Sequence, residues 1–147
     1  MAAVQVVGLR ELRQAMGKLS GEVNSTIARK AVGAGARVVK TAVRNLALIQ
    51  PTLADAPYVH GDFVYLPGHV GRNVIAKGLS DVEFIVAVRS NKQNGYAGRI
   101  ASFNEFGTVK MAPQPFMRPG FELSKNAAVD AIAEALENGI AKAARVK

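Results

Sequence analysis

Two histidines, His60 and His69, stand nine residues apart in a Gly- and Pro-rich stretch, with Asp55 and Asp62 close by. Such groups could hold a metal ion or supply the base of a small hydrolase, but their spacing matches no zinc pattern and nothing in the sequence makes them converge. Solvated loop histidines are the plainer reading. Asp81 and Glu83 would share one face of a strand, where paired carboxylates more often make the face polar than do acid–base work. Ser102 and Thr108 have no base partner recognisable in sequence. Gly33-Ala34-Gly35 lies inside a helical stretch with no strand before it, which rejects the dinucleotide fingerprint and the phosphate-binding loop. The chain has no cysteine, so thiol nucleophiles, disulfides and thiolate metal sites are excluded. These residues do not support an enzyme, and no cofactor or metal is expected.

A different kind of chemistry sits between Glu105 and Pro119. Glu105-Phe106-Gly107-Thr108 is followed by Pro113-Gln114-Pro115-Phe116-Met117-Arg118-Pro119. An acid, two aromatics, a turn glycine, an arginine and three prolines make a rigid, shaped segment suited to docking. Arg118, held between Met117 and Pro119, can grip a carboxylate bidentately. Glu105 is the internal candidate, and a carboxylate on an adjacent subunit is the other. Phe106 and Phe116 read either as interface anchors or as core.

The third feature is a basic face. Arg37, Lys40 and Arg44 recur at intervals of three and four, hence on one side of a helix, and Arg29 and Lys30 extend that side. It reads either as the solvated side of an amphipathic helix or as a contact for phosphates or an acidic protein. No aromatic residues interleave the stripe, which argues against stacking on single strands. Net charge is +8, of which residues 9–50 carry +6 and residues 51–110 and 111–147 carry +1 each. The excess favours an anionic partner.

These groups need elements to carry them. Leu9, Leu12, Met16 and Leu19 follow a helical period, ended by Ser20-Gly21. A long helix is predicted over about 24–49, capped by Asn24 or Ser25 and stopped by Pro51. Its stripe is Ile27, Ala31, Ala34 and Val38, and Gly33 and Gly35 imply close approach of another backbone. Residues 51–71 read as a long ordered loop or hairpin, too rich in Tyr58, Phe63 and Tyr65 for a linker, so these aromatics join the candidate interface. Strands are predicted over Asn73–Lys77 and over Val82–Arg89, with Val82, Phe84, Val86 and Val88 on one face. Tyr96, Ile100 and Phe103 suggest a short helix ended by a left-handed Gly107. Pro119 would open a last helix over about 119–143. The fold class is therefore α+β: a small antiparallel sheet packed by a long helix of the N-terminal half and a C-terminal helix.

At 147 residues the chain suits one domain, 1–147. Apolar residues make up 49 % of it but are mostly Ala and Val, so the core should be lean. No uncharged apolar run reaches the length of a membrane span, and the first residues lack the features of a signal peptide. The reading is of a protein that is soluble and intracellular at synthesis.

In three places, in order, the chain resembles a minor tail component family of tailed bacteriophages, typified by the tenth gene product of the Hong Kong ninety-seven phage and also described as neck, head–tail joining or tail-completion proteins. Gly8-Leu9-Arg10-Glu11-Leu12 is similar to the family's opening helix, and Ala31 to Ala42 to its Ala-rich helix. Glu105-Phe106-Gly107-Thr108 with Pro115-Phe116-Met117-Arg118-Pro119 resembles its most diagnostic segment. Where the family commonly carries a Thr-Gly-x-Leu-type turn before its first core strand, the corresponding region here reads Leu66-Pro67-Gly68-His69-Val70-Gly71-Arg72-Asn73-Val74-Ile75, after a long loop. The resemblance implies a non-enzymatic virion protein, made in the host cytoplasm, that forms a homo-oligomeric ring at the head–tail junction. A hexamer would match the tail. Its neighbours would be head-completion or stopper, tail-terminator or tail-tube proteins, with genomic DNA passing through non-specifically and no membrane involved. The implied interface residues are Glu105, Phe106, Gly107, Thr108, Pro115, Phe116 and Arg118, with Tyr58, Phe63 and Tyr65. A nucleic-acid-binding protein using the basic 29–44 helix is the alternative reading, and a small hydrolase using His60 or His69 a second.

Overall fold

The computed structural model describes residues 21–49, 58–60, 63–65 and 68–145. Helix α1 (Gly21–Ile49) is followed by a two-stranded hairpin, β1 (Tyr58–His60) and β2 (Phe63–Tyr65). A single helical turn, α2 (His69–Arg72), leads into β3 (Val74–Gly78) and β4 (Phe84–Val88). A 3₁₀ turn (Lys92–Asn94), helix α3 (Ala97–Phe106) and helix α4 (Met117–Ala144) complete the order. The expected helix around Leu9–Leu19 lies outside the described residues.

The β3–β4 pair is antiparallel, with Val74 opposite Val88, Ala76 opposite Val86 and Gly78 opposite Phe84. Alternate residues point to one face, and Val74, Val86 and Val88 on that face join the core beneath α1. The long helices α1 and α4 pack against this sheet, which makes the fold α+β. Strand β4 is shorter than expected. Val82 lies before it, exposed, in a turn closed by the N–H of Leu79 donating to the carbonyl of Glu83 at 2.8 Å. That turn also takes Asp81 and Glu83 off the strand face predicted for them.

Val43, Ala47, Val70, Val74, Ala101 and Phe116 form the central cluster, with Val39, Leu46, Ile100 and Met117 packed around it. Small side chains dominate, so the helices approach closely and a single large ring, Phe116, fills the middle at 0 % exposure. Helices α1 and α4 run antiparallel: Ile27 packs by Gly139, Gly35 by Ile132 and Val43 by Gly120. At Gly120 the approach involves backbone, because a methyl group there would lie 2.8 Å from the Cα of Val43. Gly33 differs from expectation in facing the ring of Phe84 rather than another backbone.

Helix α1 starts one turn earlier than predicted, so Asn24 and Ser25 fall inside its first turn rather than before it. Within 51–71 the hairpin pairs Tyr58 with Tyr65 and His60 with Phe63. Residues 50–57, 61–62 and 66–67, with Asp55 and Asp62, lie outside the described residues.

Candidate functional site

Helix α3 ends where the Glu105–Pro119 segment begins. The N–H of Gly107 donates to the carbonyl of Phe103 at 2.8 Å, closing the last turn. Gly107 has φ 75° and ψ −177°. This is a positive φ with an extended ψ rather than the left-handed helical conformation expected, in a region open essentially to glycine. A methyl group at Gly107 would also meet the carbonyl oxygen of Met111 at 2.8 Å and the nitrogen of Pro113 at 2.9 Å.

Beyond Gly107 the chain makes a tight turn. Thr108 and Met111 exchange backbone hydrogen bonds at 2.9 and 3.2 Å, and the Thr108 hydroxyl accepts the N–H of Lys110 at 3.3 Å. Val109, at the tip, is fully exposed. The returning strand is tied down by the N–H of Gln114, which donates to the carbonyl of Asn104 at 2.6 Å.

The carboxylate of Glu105 then closes the segment. Its Oε2 accepts the N–H of Phe116 at 2.8 Å and that of Met117 at 3.0 Å, and its Oε1 accepts the N–H of Arg118 at 3.3 Å. An α-helix leaves its first four N–H groups without intrahelical partners. Here Glu105 takes three of them, and the fourth position is Pro119, which has no N–H to satisfy. Intrahelical bonding starts with the N–H of Gly120 donating to the carbonyl of Phe116 at 3.0 Å. The negative charge also sits at the positive end of the dipole of α4. Helix α4 consequently begins at Met117, two residues before the predicted start at Pro119.

This geometry revises the expected pairing of Glu105 with the guanidinium of Arg118. Glu105 holds the backbone of that residue, and the Arg118 side chain is exposed with no ion pair to any described residue. Helix-terminal N–H groups are fixed in direction before the carboxylate arrives, whereas a guanidinium on a flexible stem must be ordered to compete. Phe116 is core. Phe106, by contrast, is 70 % exposed and lines, with Pro113, Pro115 and Pro119, an open hollow of about 470 Å³ beside Arg118. Thr108 and Pro115 are exposed.

Sequence reasoning missed three parts of the surface. Val109 projects from the turn. Phe121, Leu123 and Val129 are exposed on α4. Between α1, β4 and α4 lies an apolar hollow of about 420 Å³ lined by Val32, Val39, Phe84, Phe121, Val129 and Ile132, among others. The only sequence signal for it was an apolar period on the last helix wider than one buried face requires. Tyr96 is a further departure. It precedes α3 rather than joining it, in a left-handed conformation (φ 56°, ψ 41°).

The basic residues of α1 share an outer face. Arg37, Lys40 and Arg44, with Thr41 and Asn45, surround a hollow of about 310 Å³. Arg29 stands 3.7 Å from Asp81, both well exposed, and Lys30 is exposed. His69 lies in α2 and His60 in β1. No group of three or more His, Asp or Glu is placed to hold a metal among the described residues. Among them, too, no helix is long and apolar enough to cross a membrane.

No family model, curated protein or solved structure matches this chain.

Proposed function

We propose that this chain is a structural virion protein at the head–tail junction of a long-tailed phage, a ring subunit that joins or completes the tail around the DNA channel. The observation that carries the reading is the clamped turn. Glu105, Gly107 and the prolines stiffen a segment whose outward groups, Phe106 and Val109, bury little or nothing within their own chain. Apolar groups held rigidly in the open lose little entropy when a partner covers them, which is what a docking surface needs. The resemblance of this segment and of the Ala-rich helix to the tail-component family supports the same conclusion. The ring would be a hexamer, to match the tail. Its neighbours would be head-completion or stopper, tail-terminator or tail-tube proteins, and DNA would be met non-specifically. The protein would work without catalysis or cofactor.

Mass measurement of the purified chain at micromolar concentration, alone and with isolated tails, tests this. A closed oligomer, or a chain that joins tails, is the expected result. A monomer that never joins either overturns the reading.

A nucleic-acid-binding role is the second reading. It is favoured by the convergence of Arg37, Lys40 and Arg44 around one hollow with no acidic residue among the described residues that line it. A gel shift at physiological ionic strength that weakens with added salt would support it, and no shift there would remove it.

A further inference from the structure

The outer face of α4 carries a charge pattern opposite to that of α1. Asp130, Glu134 and Glu137 are exposed, and no basic residue lies between positions 126 and 141. At 3.6 residues per turn they occupy one side of the helix, about half a turn from Ala128 and Ile132, which face α1. On α1, Arg37, Lys40 and Arg44 likewise lie about half a turn from Ala31 and Gly35, which are buried on the inner side. The basic and acidic faces therefore look outward from opposite sides of the α1–α4 pair. Neither set makes an ion pair with a described residue.

The spacings correspond. The basic residues run at intervals of three and four. The acidic residues run at four and three, so read backwards they also run at three and four. Two helices laid antiparallel would set Arg37 against Glu137, Lys40 against Glu134 and Arg44 against Asp130, over a span of about 10 Å. Within one chain α1 and α4 are already antiparallel. Helices that alternate in direction, α1 then α4, can therefore continue around a closed ring in which every copy has the same orientation and neighbouring helices are antiparallel. Like charges three and four apart repel along each helix, and an opposed face relieves that repulsion.

We infer that the basic face of α1 docks on the acidic face of α4 of a second copy, forming a head-to-tail contact that uses different patches on each partner and closes by rotation. This rests on the ring reading above and adds to the projecting turn a second contact between copies. The occupant is a second copy because both complementary halves, in matching register, are present on this one chain.

The test uses two triple variants of the full chain, R37E/K40E/R44E and D130K/E134K/E137K, each checked for native circular dichroism and urea midpoint and then followed by sedimentation velocity. Wild type is expected to assemble, less so as salt rises. Each triple variant should need roughly a hundredfold higher concentration to assemble, since three attractions become repulsions. An equimolar mixture should reassemble, because each reversed face then meets its complement in an alternating, even-membered ring. Folded variants that assemble like wild type would overturn this interface while leaving the ring reading intact. A mixture of folded variants that stays monomeric would also overturn it. Wild type that is monomeric under every condition would overturn this interface, and if it also failed to join isolated tails it would remove the ring reading as well. Assembly indifferent to the acidic variant, with DNA binding lost in the basic one, would assign the basic face to a polyanion instead.

Discussion

The carboxylate of Glu105 lies 2.8 Å from the backbone nitrogen of Phe116, eleven residues further along the chain, and through it the end of α3 holds the start of α4. One side chain thus fixes two helices, places Phe116 in the core and leaves the turn between them projecting with Val109 at its tip. The segment works from the inside at Glu105, Gly107 and Phe116, and toward the outside at Phe106 and Val109.

Removing this clamp should be felt as stability. Glu105→Ala leaves three helix-terminal N–H groups without their acceptor and is expected to lower unfolding free energy by about 1–2 kcal/mol. Arg118→Ala keeps its backbone N–H and should change stability by less than about 0.5 kcal/mol, as exposed substitutions usually do. A double-mutant cycle by urea denaturation checks both, and the coupling should be near zero. A large coupling energy would restore the side-chain pair that the geometry replaces.

Gly107→Ala should destabilise by about 1–3 kcal/mol, because a side chain there adopts an unfavoured backbone region and collides with the carbonyl of Met111. Thermal denaturation checks this, and a variant as stable as wild type would show that the turn can move.

Gly120→Ala tests the helix crossing. Alanine favours a helix over glycine by up to about 1 kcal/mol, but the added methyl would meet the backbone of Val43. Overpacking of that kind typically costs about 1–3 kcal/mol, so the net effect on the urea midpoint should be a loss.

Much of this architecture could be read along the chain, and the exceptions share a cause. The stripe from Ile27 to Val43 and the stop before Pro51 define α1 to within one turn. The alternation of Phe84, Val86 and Val88 defines β4. Those signals are local. The start of α4 lies two residues before the Pro119 that signals it, because its cap comes from Glu105, which no window around Pro119 contains. Arg118 looked like the partner of Glu105 because side-chain chemistry is visible in a sequence and free backbone N–H groups are not. Phe106 and Phe116 have the same chemistry and a similar setting, and only the fold separates one on the surface from one in the core. The acidic face of α4 was present as Asp130, Glu134 and Glu137, but its meaning depends on α1 lying antiparallel beside it.

The projecting turn should separate stability from assembly. Phe106→Ser with Val109→Ser removes exposed apolar surface and should leave the melting temperature nearly unchanged, within the effect of about 0.5 kcal/mol typical of surface sites. Oligomer formation or tail joining, followed by sedimentation, should fall sharply. Unchanged assembly would move the docking surface away from this turn.

The most direct measurement is electron microscopy of tailed virions labelled with an antibody against this chain. Label is expected at the junction between head and tail, on a ring around the DNA channel. Label confined to another part of the particle, or intact virions without the chain, would contradict it.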